Sequence, residues 1–469
     1  MHPPFAFKVM CMKKQDAELR QQEMLEKPVE RLIVRMGLPT MASMLLSSLY
    51  NLVDTYFVSQ INTSASAAAG VAFPLLVLIQ AVSLALAIGG GSYAARCLGA
   101  EQKEEADRTV STAFFLSIFV GSAIGIVILL NISQILSVLG ATQTILPYAS
   151  GYAFWVIMAT PFYSATFVLT TVLRQEGSPE LAMFGSIFGA LLNTALDPIF
   201  IFALHGGVNG AAMATSLSQI VTFCILMSFV LRGKTITHIA WKNFSLERKI
   251  LVELVRIGLP EFFRQALACA ASILLNVAAS AYGDSALAAI SISNRLIQIV
   301  FNVLMGFGQG FMPVCGYNFG AGRKKRVLRS YAFAVGTGIV AMTICMVVFL
   351  TAAEPLMRIF RAEDAEVVAI GSRLLHIQGV LMPMAAFVII SNMLFQACGE
   401  GGKATVISIS RQGILFVPLI LLLPRLWGLT GVLVSQPGAD LLTGLICLPL
   451  TFNSICKICS MYKATILQR

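Results

Sequence analysis

The sequence predicts an all-α polytopic membrane protein, with about twelve transmembrane helices in two six-helix, pseudo-symmetric lobes. Composition is the first observation behind this. Of 469 residues, 57% are hydrophobic and only 12% charged, and mean hydropathy is +0.80, where soluble domains carry about 25% charged residues. The second is length, because apolar runs recur that reach the ~20 residues a helix needs to cross a bilayer. The third is an internal echo. "RMGLP" at 35–39 returns as "RIGLP" at 256–260, Gly99-Ala100 as Gly320-Ala321, Pro161 as Pro383, and "GGVNG" ending at Gly210 as "WGLTG" ending at Gly431. The shift is 221 or 222 residues each time.

Read in order, the spans fall at roughly 35–58, 68–95, 109–131, 146–172, 180–204, 208–231, 254–281, 286–317, 328–352, 367–398, 404–424 and 428–455. This divides the chain into an N-terminal tail (1–30), an N-lobe (31–231), a linker (232–253), a C-lobe (254–455) and a C-terminal tail (456–469). An even number of spans per half returns the chain to the same side. The lobes are therefore expected to be related by an axis along the membrane normal, the parallel-repeat arrangement of some secondary transporters.

The net charge of +10 lies in short segments between apolar runs, not on a face that nucleic acid could use. One set of loops holds Arg96, Lys103 and Arg108, then Arg174, then Arg232 to Arg256, then "GRKKRVLR" at 322–329. The alternate loops at 59–67, 132–145, 205–207 and 282–285 hold no lysine or arginine, and only Arg358 and Arg361 blur the pattern. The positive-inside rule then puts both termini in the cytoplasm, and the expected location is the bacterial cytoplasmic (inner) membrane. The ten cysteines lie mostly within apolar runs, where thiols behave as small hydrophobes. Cys456 and Cys459 form a solitary CxxC with no histidine cluster nearby.

Several segments together resemble the multidrug and toxic compound extrusion (MATE) transporters, over about residues 28 to 455. They are "GLPTMASMLLSSLYNLVDTYFVS" in span 1, "RCLGAEQKEEA" after span 2, "LRQEGSP" after span 4, "NTALDPIFIF" in span 5, "GVNGAAMATSLSQ" in span 6 and "VSQPGAD" in span 12. The resemblance is greatest to the bacterial branch with its acidic pair in the N-lobe. It implies a V-shaped pair of lobes alternating between inward-open and outward-open states. It also implies export of cationic or amphipathic organic compounds in exchange for Na+ or H+. No other cofactor is expected, and the expected working unit is a monomer. Matched residue by residue, the family's cation site falls on Asp54, Asn193, Asp197 and Thr215. Its acidic residues deep in C-lobe helices find no clear match here.

The residues support that site independently. At 1.5 Å per residue, Asp54 lies ~22 Å along span 1 from Pro39 and Asp197 ~26 Å along span 5 from its start. Asn193 is one turn below Asp197, and Thr215 is ~10 Å into the returning span 6. All four share the outer half of the lobe. An ionisable residue inside a span is costly and points to function. Two carboxylates close together repel, and a bound proton or sodium ion relieves the repulsion. With an amide oxygen and a hydroxyl added, the set offers hard oxygen ligands for Na+. Pro198 removes a backbone donor and marks a helix kink. The plainer alternatives are an Asp197 that caps a helix restarted after the kink, a merely hydrated Asp54, and packing hydrogen bonds from Asn193 and Thr215.

In the C-lobe, Arg295, Arg411 and Asp440 lie within spans, and Asp440 is expected to pair with one of the arginines. Glu261 and Arg264 near the start of span 7 read as a gate or a surface pair. No enzyme is expected, since HExxH, GxSxG and an intramembrane histidine set are absent from the sequence. "GKT" at 233–235 is no phosphate loop, because residue 228 is serine where the upstream glycine belongs. The alternative reading is a lipid-linked oligosaccharide flippase of similar two-lobe plan, which would favour a strongly cationic central cavity.

Overall fold

Proline and glycine decide where these apolar runs bend and where they touch. The computed structural model describes residues 19–466 apart from 60, 62, 362 and 363; for 51, 52, 54–56, 58, 59, 63–66 and 461–466 it describes the helical backbone alone. After a helical segment at 19–26, the first half comprises α1 (Val29–Ser59), α2 (Thr63–Gly99), α3 (Lys103–Leu130), α4 (Ile132–Val138), α5 (Leu146–Met158), α6 (Thr160–Gln175), α7 (Pro179–Pro198) and α8 (Gly207–Leu231). The second comprises α9 (Arg248–Ser280), α10 (Asp284–Gly320), α11 (Lys324–Phe360), α12 (Ala365–Ala397), α13 (Gly401–Ile409), α14 (Phe416–Trp427) and α15 (Leu429–Ile466). No strand occurs among the described residues.

Eleven spans among the described residues are long and apolar enough to cross a membrane, and the bent pair α5–α6 makes a twelfth. That pair is where the expectation of continuous spans fails. The run breaks at Ala159 with a 50° bend, because Pro161, in the first turn of α6, has no N–H to continue the ladder. Two further runs carry π-turns, at Ile199–Ala203 directly after Pro198 and at Ser410–Ile414 between α13 and α14. In α11 the backbone leaves helical values at Ala352, ahead of Pro355. The linker is shorter than expected, since α9 already begins at Arg248. The apolar exterior suits lipid, with Val127, Val340 and Ile344 each about 60% exposed.

Packing repeats between the halves. In the first, α1 packs on α7, α6 on α2, α3 and α8, and α7 on α8. In the second, α9 packs on α13, α12 on α10, α11 and α15, and α14 on α15. The halves meet chiefly through α1 with α10 and α2 with α9 and α10. These contacts crowd toward the end that carries the basic loops, called the basic end below, and glycine makes them possible. A Cβ on Gly99 would sit 2.1 Å from the carbonyl oxygen of Tyr317, and one on Gly320 2.0 Å from that of Arg96. Residues 96 and 317, like 99 and 320, are 221 apart, so each contact is the symmetry mate of the other. Gly89 against Leu254 and Gly258 against Ala85 leave equally little room, at 2.2 Å each.

Candidate functional site

Within the first half, α7 and α8 bring three of the four expected cation-site residues together. Asn193 and Asp197 stand one turn apart on α7 and are buried, with 2% and 0% exposure. The Asn193 amide lies 3.3 Å from the Asp197 carboxylate and 3.3 Å from the Thr215 hydroxyl of α8. Amide orientation follows from the hydrogen-bond network. With the nitrogen donating to Asp197, the Asn193 oxygen accepts from the Thr215 N–H at 3.2 Å and its hydroxyl at 3.3 Å. In that orientation Asn193 links the Asp197 carboxylate of α7 to the Thr215 hydroxyl of α8. The backbone of α1 passes position 54 as helix, but the Asp54 side chain lies outside the described residues.

Pro198 acts just above this cluster. The π-turn that follows it sends the Phe200 carbonyl to the Gly206 N–H at 3.0 Å. Gly210 then allows α8 to start against it, since a Cβ there would be 2.3 Å from that same oxygen. Such π-turns concentrate at functional sites, and this one sets the height at which Thr215 meets Asn193.

The C-lobe holds a separate polar network. Arg411 Nε donates to Asp440 at 2.7 Å, and Gln378 and Gln436 each donate to the same carboxylate at 3.1 Å. The guanidinium lies 5.2 Å from the Phe301 ring. Arg295 stands apart from this network: it is exposed on α10, and among the described residues no ion pair joins it. Glu261, 2% exposed, is gripped by Arg264 through two bonds, one at 2.9 Å from Nε and a shorter one from Nη2. No set of three or more metal-ligating His, Cys, Asp or Glu occurs among the described residues, and Cys456 and Cys459 are free and exposed.

The basic end carries polar contacts that the sequence reading passed over. Arg96 of α2 bonds Glu253 of α9 at 2.7 Å and Arg174 of α6 bonds Gln309 of α10 at 2.5 Å, while deeper in the same interface Asn302 of α10 bonds Ser48 of α1 at 2.8 Å. The segment before α1 crosses the same seam. Arg20 donates to Ser178 and to the Lys234 carbonyl, both at 2.8 Å, and Gln21 to the Leu98 carbonyl at 2.7 Å. From the other half, Arg323 donates to the Leu25 carbonyl at 2.7 Å and Arg326 to that of Lys27 at 2.6 Å. In the sequence Arg323 and Arg326 are legible only as loop charge. The linker is likewise docked. Buried Glu176 receives the Ile236 and Thr237 N–H groups at 2.6 and 3.0 Å and the Thr237 hydroxyl. Burial pushes its carboxyl up to about 7 against the opposing pull of those bonds.

A sequence model of the family described as MatE matches this chain twice, over residues 39–199 and 260–422. The chain belongs to the MATE family. Two of its relatives in this family are multidrug export proteins MepA. That of Staphylococcus haemolyticus is 28% identical over 411 residues, 87% of this chain and 90% of the relative. That of Staphylococcus aureus strain MRSA252 is 28% identical over 427 residues, 90% of this chain and 93% of the relative. Among solved MATE structures, an outward-facing multidrug resistance transporter superposes with TM-score 0.87 at 27% identity, covering 93% of this chain and 98% of that one. A MATE structure in a bent conformation gives 0.88 at 26% identity, covering 94% and 98%. The protein is thus a MATE membrane transporter and not an enzyme.

Proposed function

We propose that this MATE protein is a secondary antiporter that exports cationic or amphipathic organic compounds in exchange for Na+ or H+. One observation carries the reading: a buried carboxylate, Asp197, accepts from the Asn193 amide one turn away, and that amide also bonds the Thr215 hydroxyl of the neighbouring helix, inside an otherwise apolar lobe. Asp54, on the helix that packs against α7, is the proposed second carboxylate. Binding of a cation neutralises the pair and favours one packing of α1 and α7, and release favours the other. A ligand moves such an equilibrium only by its differential affinity for the two states. The multidrug export role named for the MepA relatives supports the substrate class. It gives no support to a lipid-linked oligosaccharide flippase.

By the positive-inside rule the basic end is the proposed cytoplasmic face, with both termini on that side, and the proposed location is the bacterial inner membrane. The two lobes then touch on the cytoplasmic side, so this is the outward-facing state of an alternating-access cycle. One chain supplies both lobes, and a monomer suffices. The Arg411–Asp440 pair is a structural tie within the C-lobe, and Arg295 has its own place on α10.

The test is efflux of a fluorescent cation from everted vesicles, driven separately by a sodium gradient and by a pH gradient. One gradient is expected to drive export in wild type, and Asp197→Asn is expected to lower the driven rate at least tenfold at equal expression. Gradient-driven export at the wild-type rate by that variant would leave Asp197 with a capping role alone.

A further inference from the structure

At the basic end a cavity of about 460 Å³ opens between four segments: the 19–26 helix, α1, the α6–α7 turn and the start of the linker. Arg20, Arg35, Arg232 and Lys234 all line it, as do Glu23 and Glu180. The two carboxylates are both taken by Arg35, at 3.0 and 3.7 Å. Arg20 spends its bonds on neutral acceptors, the Ser178 hydroxyl and the Lys234 carbonyl. Among the described residues, therefore, Arg20, Arg232 and Lys234 converge on one space without meeting a carboxylate. The α7 helix begins at the same wall, where Glu180 in its first turn meets the partial positive charge of that end, so the field comes from the basic side chains. A second observation is independent of charge. Thr235 lines the cavity, is only 6% exposed, and its hydroxyl has no hydrogen-bond partner. A buried hydroxyl left unpaired is costly, and a ligand acceptor would satisfy it. The floor is apolar, formed in part by the buried side chains of Met24 and Met36.

We propose that this cavity binds a phosphate ester, with its anionic oxygens at Arg20, Arg232, Lys234 and the Thr235 hydroxyl and its organic part over the methionines. A phosphate group fits better than a carboxylate because several cations and a hydroxyl approach from different sides. Its source is either the headgroup of an anionic lipid or a soluble phosphate compound. Bound there, it would tie the 19–26 helix to the linker and α7.

The experiment uses the purified full-length chain in uncharged detergent, titrated with dihexanoyl phosphatidylglycerol, dihexanoyl phosphatidylcholine or sodium phosphate, and followed by thermal unfolding. The expected result is a saturable rise in Tm with phosphatidylglycerol, whose apparent Kd is weakened at least tenfold by Arg232→Ala with Lys234→Ala and about fivefold by Thr235→Val. Both basic positions are exposed, so the double variant should fold. Saturation by sodium phosphate at the same apparent Kd assigns a soluble phosphate as the ligand, and response to phosphatidylglycerol alone assigns the lipid headgroup. No saturable rise with either overturns the proposal. So does an equal response in the double variant, or an equal loss in a control lacking Arg358 and Arg361 at the opposite end.

Discussion

Asp440 and Glu176 show how differently this chain holds a buried carboxylate. Asp440 is enclosed by a guanidinium and two amides, all donors. Removing one partner of such a pair strands the other. Asp440→Asn should therefore cost about 3 kcal/mol, the low end for a buried pair, because the Arg411 side chain is 19% exposed. Replacing both, as Arg411→Met with Asp440→Leu, should recover most of that loss, and unfolding in detergent would measure both variants. Among the described residues Glu176 meets no cation, only three donors from the linker, and burial holds its carboxyl near 7. A carboxyl raised in the folded state contributes stability below its unfolded value of 4.5 that is lost as pH rises through 7. The linker should thus dock more tightly at pH 5 than at pH 8. Hydrogen-exchange protection of Ile236 and Thr237 should fall across that window, and Glu176→Gln should flatten the change.

At the scale of helices, legibility followed periodicity and failed where the controlling feature lay elsewhere in the chain. The i, i+4 spacing of Asn193 and Asp197 was readable because both lie on one helix, and the depth of Thr215 followed from span direction. Where the α5–α6 run bends, Pro161 was visible in the sequence, but a proline alone does not say whether a span kinks or breaks. The π-turn after Pro198 depends on Gly210, a residue of the next helix that admits the Phe200 carbonyl. Glu176 stands in the sequence only as part of the segment after span 4, because its partners, Ile236 and Thr237, are 60 and 61 positions away and meet it only on folding. Gly210→Ala should push α8 off the π-turn and separate Thr215 from Asn193. The expected outcome is a several-fold rise in the cation concentration needed for half-maximal coupling, at near-normal expression, read in the same vesicle assay.

Across the whole molecule, the seam at the basic end is held by backbone contact and by a strap. Arg326 alone reaches the Lys27 and Met24 carbonyls of the segment before α1 and the side chain of Asn318 beneath it. Charge-assisted hydrogen bonds contribute about 1.5–3 kcal/mol each when buried, and these are partly exposed. Arg326→Ala should therefore shift the balance of states by about 1–2 kcal/mol toward opening at this end. Nitroxides at Lys103 and Gly402, both exposed and on opposite lobes, would report it as a longer-distance population absent from wild type. An unchanged distribution would show that the glycine contacts hold the seam unaided.

Those glycine contacts have a consequence for how the two halves can change with time. Gly99 rests on the carbonyl of Tyr317, and Gly320 on that of Arg96, so each half supplies both the hollow and the surface that fills it. A duplicated chain usually frees one copy to drift. Here neither copy is free over these few residues, because a methyl group added on one side meets main chain on the other, and main chain cannot be substituted away. Divergence between the halves must therefore gather elsewhere, as it has: the N-lobe keeps the Asn193–Asp197 cluster and the C-lobe the Arg411–Asp440 tie, while the joint between them stays common to both.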